Sequence, residues 1–438
     1  MIIKVKVGFV SLGCSKNLID TEMFIGIFQK EKFEIVNSPE EADIIVINTC
    51  GFIGSAKEEA INTILEMAEY KENGNCQFLI VTGCLVKRYK KELEKALPEV
   101  DLFLSVDEYD IFWKKIEGLL GLEKKSKNTL DYLDRVVSTG EKTAYLKIAE
   151  GCSNHCTYCA IPSIRGEYIS RPIEDILQES KRLSKLGFKE IIVIAQDTSK
   201  YGIDLYGKPR LAELLEEISK IDGIEWIRFL YTYPEDITDE LINVVKNNKK
   251  ICHYFDIPLQ HFSNRVLKRM NRKSNSYSIE SVIQKIRQNI PDVIIRTTFI
   301  VGFPGETEED FQELYEFIKR AKFEKMGVFK YSKEDGTPAS RLKDQIHYKI
   351  KQKRWDLIMS EQEKISKEKL EMKIGNTYKA LIDGLTSDGK YFIARSYMDI
   401  PDEDGVIYIQ NNGKVKVGDF VNCEITSVRG YDLIGKIV

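Results

Sequence analysis

Apolar and polar positions alternate in short blocks along the first hundred residues. Apolar runs at 5–12, 33–36, 44–48, 78–82 and 100–105 have the length of strands. Between them apolar positions recur at helical spacing, most clearly over 56–72 and 87–96. Strand and helix in alternation predict a parallel sheet with helices on both faces. Residues 122–142 carry more charge and keep no period, as a linker does. A second alternating series follows, with strands expected at 144–149, 190–195, 226–232, 254–258, 293–301 and 326–331. Helices expected at 173–186, 278–290 and 308–321 separate some of them, so the series predicts a partial (β/α)6 barrel.

A charged stretch over 348–372, with Glu and Lys neighbours at helical spacing, predicts a solvated connector helix. Beyond it the chain turns to short strands and glycine-containing turns such as Ser387-Asp388-Gly389 and Asn411-Asn412-Gly413, the pattern of a small β-barrel. The fold class is therefore α/β. The expected units are an N-terminal domain over 1–121, the linker 122–142, a barrel with its connector over 143–372, and a terminal β-barrel over 373–438.

Composition narrows the setting. Over 438 residues, 43% hydrophobic and 30% charged content is that of a soluble globular chain, and no apolar run reaches membrane-spanning length. The opening residues alternate like a strand and show no signal-peptide block, so a cytoplasmic location is expected. With 65 basic against 68 acidic residues, nothing in the overall balance demands nucleic acid. Nine cysteines in a chain of this size fit metal ligands, reactive thiols or core residues better than disulfides.

Three of them form Gly151-Cys152-Ser153-Asn154-His155-Cys156-Thr157-Tyr158-Cys159. Three thiolates within eight residues wrap one metal centre. A structural zinc site prefers four ligands, and a distant fourth would be needed here. On a four-iron cluster the same three leave one iron open to a substrate. The triplet follows the first barrel strand, at the edge where barrel active sites form.

Cys14, Cys50 and Cys84 are scattered, yet each ends a strand-like run with glycine beside it. In a parallel sheet all three reach the carboxyl edge, where open α/β folds bind ligands. One such cysteine is ordinarily a small buried hydrophobe. Three at the same topological position point to a second cluster. Cys76, Cys252 and Cys423 have no such placement and are expected to be structural; His253, His261 and His347 show no ligand spacing.

The C-x3-C-x2-C spacing on a barrel strand resembles the radical S-adenosylmethionine (SAM) superfamily. The resemblance implies that the open iron binds SAM and that Tyr158 lies along its adenine. Gly302-Phe303-Pro304-Gly305-Glu306, after the fifth barrel strand, is similar to the family's glycine-containing SAM-contact segment, with Gly302 and Gly305 as contacts. Its other reading is a plain strand-to-helix turn. Where many members carry Gly-Gly-Glu, this chain has Ala195-Gln196-Asp197, which leaves Gln196 as the candidate for the SAM amino group.

Two cluster-binding units and a small terminal barrel together resemble the methylthiotransferases, over nearly the whole chain. Ser11-Leu12-Gly13-Cys14-Ser15-Lys16-Asn17, Asn48-Thr49-Cys50-Gly51-Phe52-Ile53, Ile161-Pro162-Ser163-Ile164-Arg165-Gly166, Tyr231-Thr232-Tyr233-Pro234, Ala394-Arg395-Ser396-Tyr397 and Asp404-Gly405-Val406 resemble one branch. That branch modifies a β-carbon of an aspartate in the twelfth small-subunit ribosomal protein. Ser15 stands where it commonly has proline. The tRNA-adenosine branch, the alternative, usually has Ser-Ile-Arg where this chain has Gly51-Phe52-Ile53.

The resemblance implies two 4Fe-4S clusters, SAM as cofactor, a ribosomal protein substrate and a reductant protein as partner. It also implies that a SAM-derived radical takes hydrogen from the β-carbon, which then receives a methylthio group from the cluster at Cys14, Cys50 and Cys84. From Ile374 onward the chain has seven basic and nine acidic residues, including Asp399, Asp402, Glu403 and Asp404. That balance suits a basic protein partner better than a phosphate backbone, unless these acids only solvate loops. An electron carrier would complete its clusters with four cysteines, and neither set here has four.

Overall fold

The computed structural model describes residues 5–122 and 129–438; residues 1–4, ahead of the first expected strand, and 123–128 of the expected linker lie outside the described residues. Strands β1 (Lys6–Ser11), β2 (Glu34–Val36), β3 (Ile44–Thr49), β4 (Phe78–Gly83) and β5 (Leu102–Ser105) form a parallel sheet in the order β2-β1-β3-β4-β5. Strand alternation explains its two covered faces. Ile44, Val46 and Ile80 pack with Phe24, Phe28, Phe112 and Trp113, while Ile45, Ile47, Leu79 and Val81 pack with Ala60, Ile64 and Leu85. The order reverses between β1 and β3, and at such a switch point the loops leave in opposite directions and open a crevice.

The second unit runs through β6 (Thr143–Lys147), a hairpin of β7 (Ala149–Glu150) and β8 (Ile169–Ser170), β9 (Glu190–Ile194), β10 (Trp226–Phe229), β11 (Tyr254–Gln260), β12 (Ile294–Val301) and β13 (Lys325–Lys330). Strands β6, β9 and β10 pair in parallel, as do β11, β12 and β13. The halves are stitched by an Ile227–Ile251 bridge and by the Thr232 amide donating to Asp256 O at 2.9 Å. The six strands follow chain order, and their helices share one apolar core with them. The expected strand over 226–232 stops at Phe229, because Tyr231 takes a left-handed backbone at φ 62°.

The helix Tyr348–Glu371 differs from a solvated connector. Ile358 and Ile365 are buried against the barrel, and the Trp355 indole donates to Val328 O at 2.8 Å. Its charged residues mask an apolar stripe too sparse to register in the pattern. The terminal strands β14 (Thr377–Leu385), β15 (Tyr391–Ser396), β16 (Ile407–Gln410), β17 (Phe420–Arg429) and β18 (Asp432–Ile437) close into a barrel. Its core is continuous with residues from inside the larger barrel, among them Tyr145, Ile192, Ile194, Trp226 and Tyr254. Buried Glu190 accepts from Arg228 and, at 2.7 Å, from Arg395, locking the two barrels together.

Half of the acidic cluster of the last unit, Asp399 and Asp404, is internal, which reduces the expected acidic face. Asp399 meets Lys325 at 2.6 Å, Asp404 accepts from the Tyr254 hydroxyl at 2.7 Å, and Glu403 pairs with Arg296. Asp402 and Glu403 remain exposed. Among the described residues, no helix is long and apolar enough to cross a membrane.

Candidate active site: two cysteine sets at adjoining edges

Parallel register brings the scattered cysteines to one edge. Ser11 pairs with Asn48, Asn48 with Thr82, and Thr49 with Gly83, so the three chains leave the sheet level with one another. Cys14 caps the helix Ser15–Lys30 and Cys84 opens the helix Cys84–Ala96, placing both at helix N-termini that favour anionic sulfur. Asparagines staple the loops. The Asn17 amide donates to Leu12 O and Thr49 O, each at 3.0 Å, and the Asn48 amide donates to Asn17 O at 2.8 Å. Gly13, at φ 89°, lies so near Cys50 that a Cβ there would stand 2.7 Å from the Cys50 Cβ. Only glycine allows this approach.

Burial pushes the Cys84 thiol up to about 11, against the pull of Arg165, and Cys14 and Cys50 are near enough to add to the rise. The three thiols thus lie near one another. Among the described residues no group of three His, Cys, Asp or Glu side chains is gathered tightly enough for a single metal ion. A four-iron cluster needs its thiolates spread more widely, and three converging thiols at a switch-point crevice fit that group.

The second set is held by its own loop. The Cys152 amide donates to Gly166 O at 3.1 Å, the Thr157 amide to Met270 O at 3.0 Å, and the Thr157 hydroxyl to Arg269 O at 2.9 Å. His155 turns the loop with a left-handed backbone, its carbonyl accepting from Asn271 at 3.0 Å. Burial raises the Cys152 thiol and takes Cys159 up to about 12, with Cys156 and Cys152 adding to the latter.

Tyr158 packs with Val266, Met270, Phe303 and Tyr331, so it meets the glycine-containing segment through Phe303. The backbone donors of that segment are engaged inside the protein. Gly302 and Phe303 donate to the Glu306 carboxylate at 2.7 and 3.1 Å, and Gly305 donates to Asp344 O at 2.8 Å. A ligand there would find these three N–H groups already engaged. Gln196 lies apart from Tyr158 in the bonding pattern; its amide donates to Glu150 at 3.0 Å, and its buried Oε1 has no partner.

Sequence reasoning missed Arg272. It is 7% exposed, sits 4.1 Å from the Tyr233 ring centroid, and donates only to Pro258 O; its Nε and Nη1 are buried without partners. Tyr158, Tyr233 and Cys156 are its near electrostatic neighbours. An orphaned acceptor at Gln196 and orphaned donors at Arg272 suit the ammonium and carboxylate of an amino-acid ligand. Only a motif assignment at position 272 could have signalled this, because the residue stands among several basic neighbours.

The two sets share a wall. The helix Ile161–Arg165 begins two residues after Cys159, and Ile164 packs against Cys84. Arg165 donates from Nη2 to the Cys84 Sγ at 3.3 Å and to Asn17, and from Nη1 to Asp20 at 2.6 Å. Lys147 joins the same knot, reaching Asp20 at 2.6 Å and Glu150 at 2.8 Å. Burial would raise the Glu150 carboxyl, but Lys147 and Arg165 hold it down at about 2. Across the interface, Glu334 accepts from the Gly54 amide at 2.9 Å and from Lys57 and Arg88.

Comparison with known proteins agrees with this division. The radical SAM superfamily profile matches residues 146–318, the TRAM domain profile 374–438, and a family described only as uncharacterized protein family UPF0004 residues 6–105. The solved structure of the radical SAM methyltransferase TsrM from Kitasatospora setae superposes with a TM-score of 0.58 at 11% identity, covering 77% of this chain and 74% of that one. The cobalamin-dependent SAM radical enzyme OxsB gives 0.52 at 15% identity, covering 82% and 56%. These two show the fold. A protein of Alkaliphilus oremlandii (strain OhILAs) named ribosomal protein uS12 methylthiotransferase RimO is 64% identical over 98% of both chains. One of the same name from Acetivibrio thermocellus is 49% identical over 99% of both.

Cluster loop, barrel and superfamily match define a radical SAM enzyme. Within that class, identity sustained from end to end settles the next level. The chain belongs to the RimO family of methylthiotransferases.

Proposed function

We propose that the chain transfers a methylthio group to the β-carbon of an aspartate in ribosomal protein uS12. The observation that carries this reading is the shared wall: the segment leaving Cys159 ends in Arg165, which touches Cys84. Two 4Fe-4S clusters and SAM are the cofactors, and when bound they supply the radical that replaces a C–H hydrogen and the sulfur that takes its place, chemistry beyond any side chain. Cys152, Cys156 and Cys159 hold one cluster, and Cys14, Cys50 and Cys84 the other. Arg272 and Gln196 orient the carboxylate and amino group of SAM, and Tyr158 lines its adenine. The Arg165–Asp20–Lys147–Glu150 knot fixes the distance between the two cysteine sets. A reductant protein supplies electrons.

The terminal barrel carries seven basic against nine acidic residues and no basic excess for a nucleic acid, which supports a protein substrate over tRNA. The test is anaerobic reconstitution followed by incubation with SAM, reductant and either uS12 or tRNA. About eight irons per chain are expected, with the methylthio mass gain on uS12 alone. Gain on tRNA, or none on uS12, overturns the reading.

A further inference from the structure

Two lysines are buried near the cysteine sets, and they differ in one respect. Lys147, 2% exposed, is paired with Asp20 and Glu150. The Lys16 side chain, on a residue 8% exposed, has no hydrogen bond and no ion pair among the described residues; its ammonium rests 3.3 Å from the centroid of the Tyr231 ring. A desolvated ammonium without a hydrogen-bonded partner is a standing penalty that a ring face only partly offsets. Cys14, two residues away, is its foremost acidic neighbour, followed by Asp256, Glu403 and Glu150, and none of the three carboxylates bonds it. Asp256 accepts from the Tyr231 amide at 3.0 Å, and Glu403 is held by Arg296.

Position gives this unpaired charge its meaning. Lys16 stands two residues after Cys14, on the N-terminal domain, while Tyr231 follows the end of β10 in the radical SAM barrel. The ammonium therefore lies where the N-terminal domain meets the barrel, beside Cys14. Tyr231 presents its ring there only by holding a left-handed backbone, a strain that bulky residues keep where the surrounding structure has a use for it.

We propose that Lys16 is the specificity-determining residue for the substrate, receiving the carboxylate of the target aspartate above the Tyr231 ring. This rests on methylthio transfer to uS12 as the reaction. The β-carbon is bonded directly to the carboxylate carbon, so a grip on the carboxylate places the reacting C–H within one bond of a fixed point. A neutral amide in place of the carboxylate leaves the ammonium unpaired, and Asp is thereby selected over Asn.

The test uses the reconstituted full chain, as wild type, Lys16→Met and Lys16→Arg. The substrates are uS12 and uS12 with its target aspartate changed to Asn. Affinity is measured by fluorescence anisotropy without reductant, so that no turnover occurs, and iron per chain is counted for each variant. Wild type is expected to bind the Asp form about 10- to 100-fold more tightly than the Asn form, as a charge-assisted hydrogen bond allows. Lys16→Met binds both forms at the weaker level with its iron intact and, in a separate assay with reductant, releases more 5′-deoxyadenosine per methylthio product; Lys16→Arg recovers part of the preference. Retained Asp preference in Lys16→Met, or none in wild type, overturns the proposal. So does loss of iron in Lys16→Met, which would assign the lysine to cluster assembly. Wild type that fails to modify uS12 at all overturns the functional reading instead.

Discussion

The Arg165 guanidinium donates to the Cys84 sulfur at 3.3 Å, across the boundary between the N-terminal sheet and the radical SAM barrel. A charge-assisted hydrogen bond onto a cluster thiolate stabilises the reduced, more negative state. Arg165→Met is therefore expected to lower the midpoint potential of the cluster proposed at Cys14, Cys50 and Cys84. A bond worth about 1.5–3 kcal/mol corresponds to a shift on the order of 100 mV for one electron. Redox titration followed by EPR reads the shift, and Arg165→Lys should restore part of it. An unchanged potential with intact iron would reduce Arg165 to packing.

Gly13 makes a sharper structural demand. A Cβ at this position would stand 2.7 Å from the Cys50 Cβ and 3.1 Å from its Sγ, on a backbone already at φ 89°. Gly13→Ala must push Cys14 and Cys50 apart. Iron per chain after reconstitution should fall from about eight to about four. SAM cleavage, which is proposed to use the other set, should persist without methylthio product. A full complement of iron in this variant would contradict so close a cradle.

Much of this site is legible in the sequence. Cys14, Cys50 and Cys84 each close an apolar run beside glycine, and parallel strands carry such positions to one edge without further information. What the pattern conceals depends on adjacency between units. Arg165 and Asp20 are 145 positions apart, and nothing local marks them as partners. Asp399 and Asp404 read as a solvated face, yet Lys325 and Tyr254 from the other barrel claim them. Several motif residues hold structural roles that their motifs do not state. Arg395 locks the terminal barrel, and Asn17 and Asn48 tie the loops that carry Cys14 and Cys50.

Arg272 offers a test of the SAM site by binding alone. Its Nε and Nη1 are buried without partners beside Tyr233 and Tyr158. Filling them with a carboxylate is worth about 1.5–3 kcal/mol, so Arg272→Met should weaken SAM binding by roughly 10- to 150-fold. Gln196→Leu removes one orphaned acceptor and one bond to Glu150, and a smaller loss is expected. Equilibrium dialysis of SAM against the oxidised, reconstituted protein measures both. Equal affinity for wild type and Arg272→Met would move the carboxylate contact elsewhere.

Glu190 predicts how acid separates the barrels. Its carboxyl is fully buried, which alone would raise it, but the Arg395 and Arg228 guanidinium groups hold it down at about 2 from an ordinary 4.5. A depressed carboxyl stabilises the folded state above its unfolded pKa, and that contribution is lost as pH falls from about 4.5 to about 2. The full contribution is roughly 3 kcal/mol. Trp226 reports the event, since its ring lies 4.8 Å from Phe420 of the terminal barrel. In a background with Trp113 and Trp355 replaced by Phe, urea titrations followed by Trp226 fluorescence should show a midpoint falling steeply within that pH window. Glu190→Gln leaves two buried guanidinium groups short of a counter-charge, which lowers the midpoint at neutral pH by about 3–5 kcal/mol equivalent and flattens the acid slope. A slope identical in wild type and Glu190→Gln would place the acid-sensitive link at another pair, such as Asp399 with Lys325.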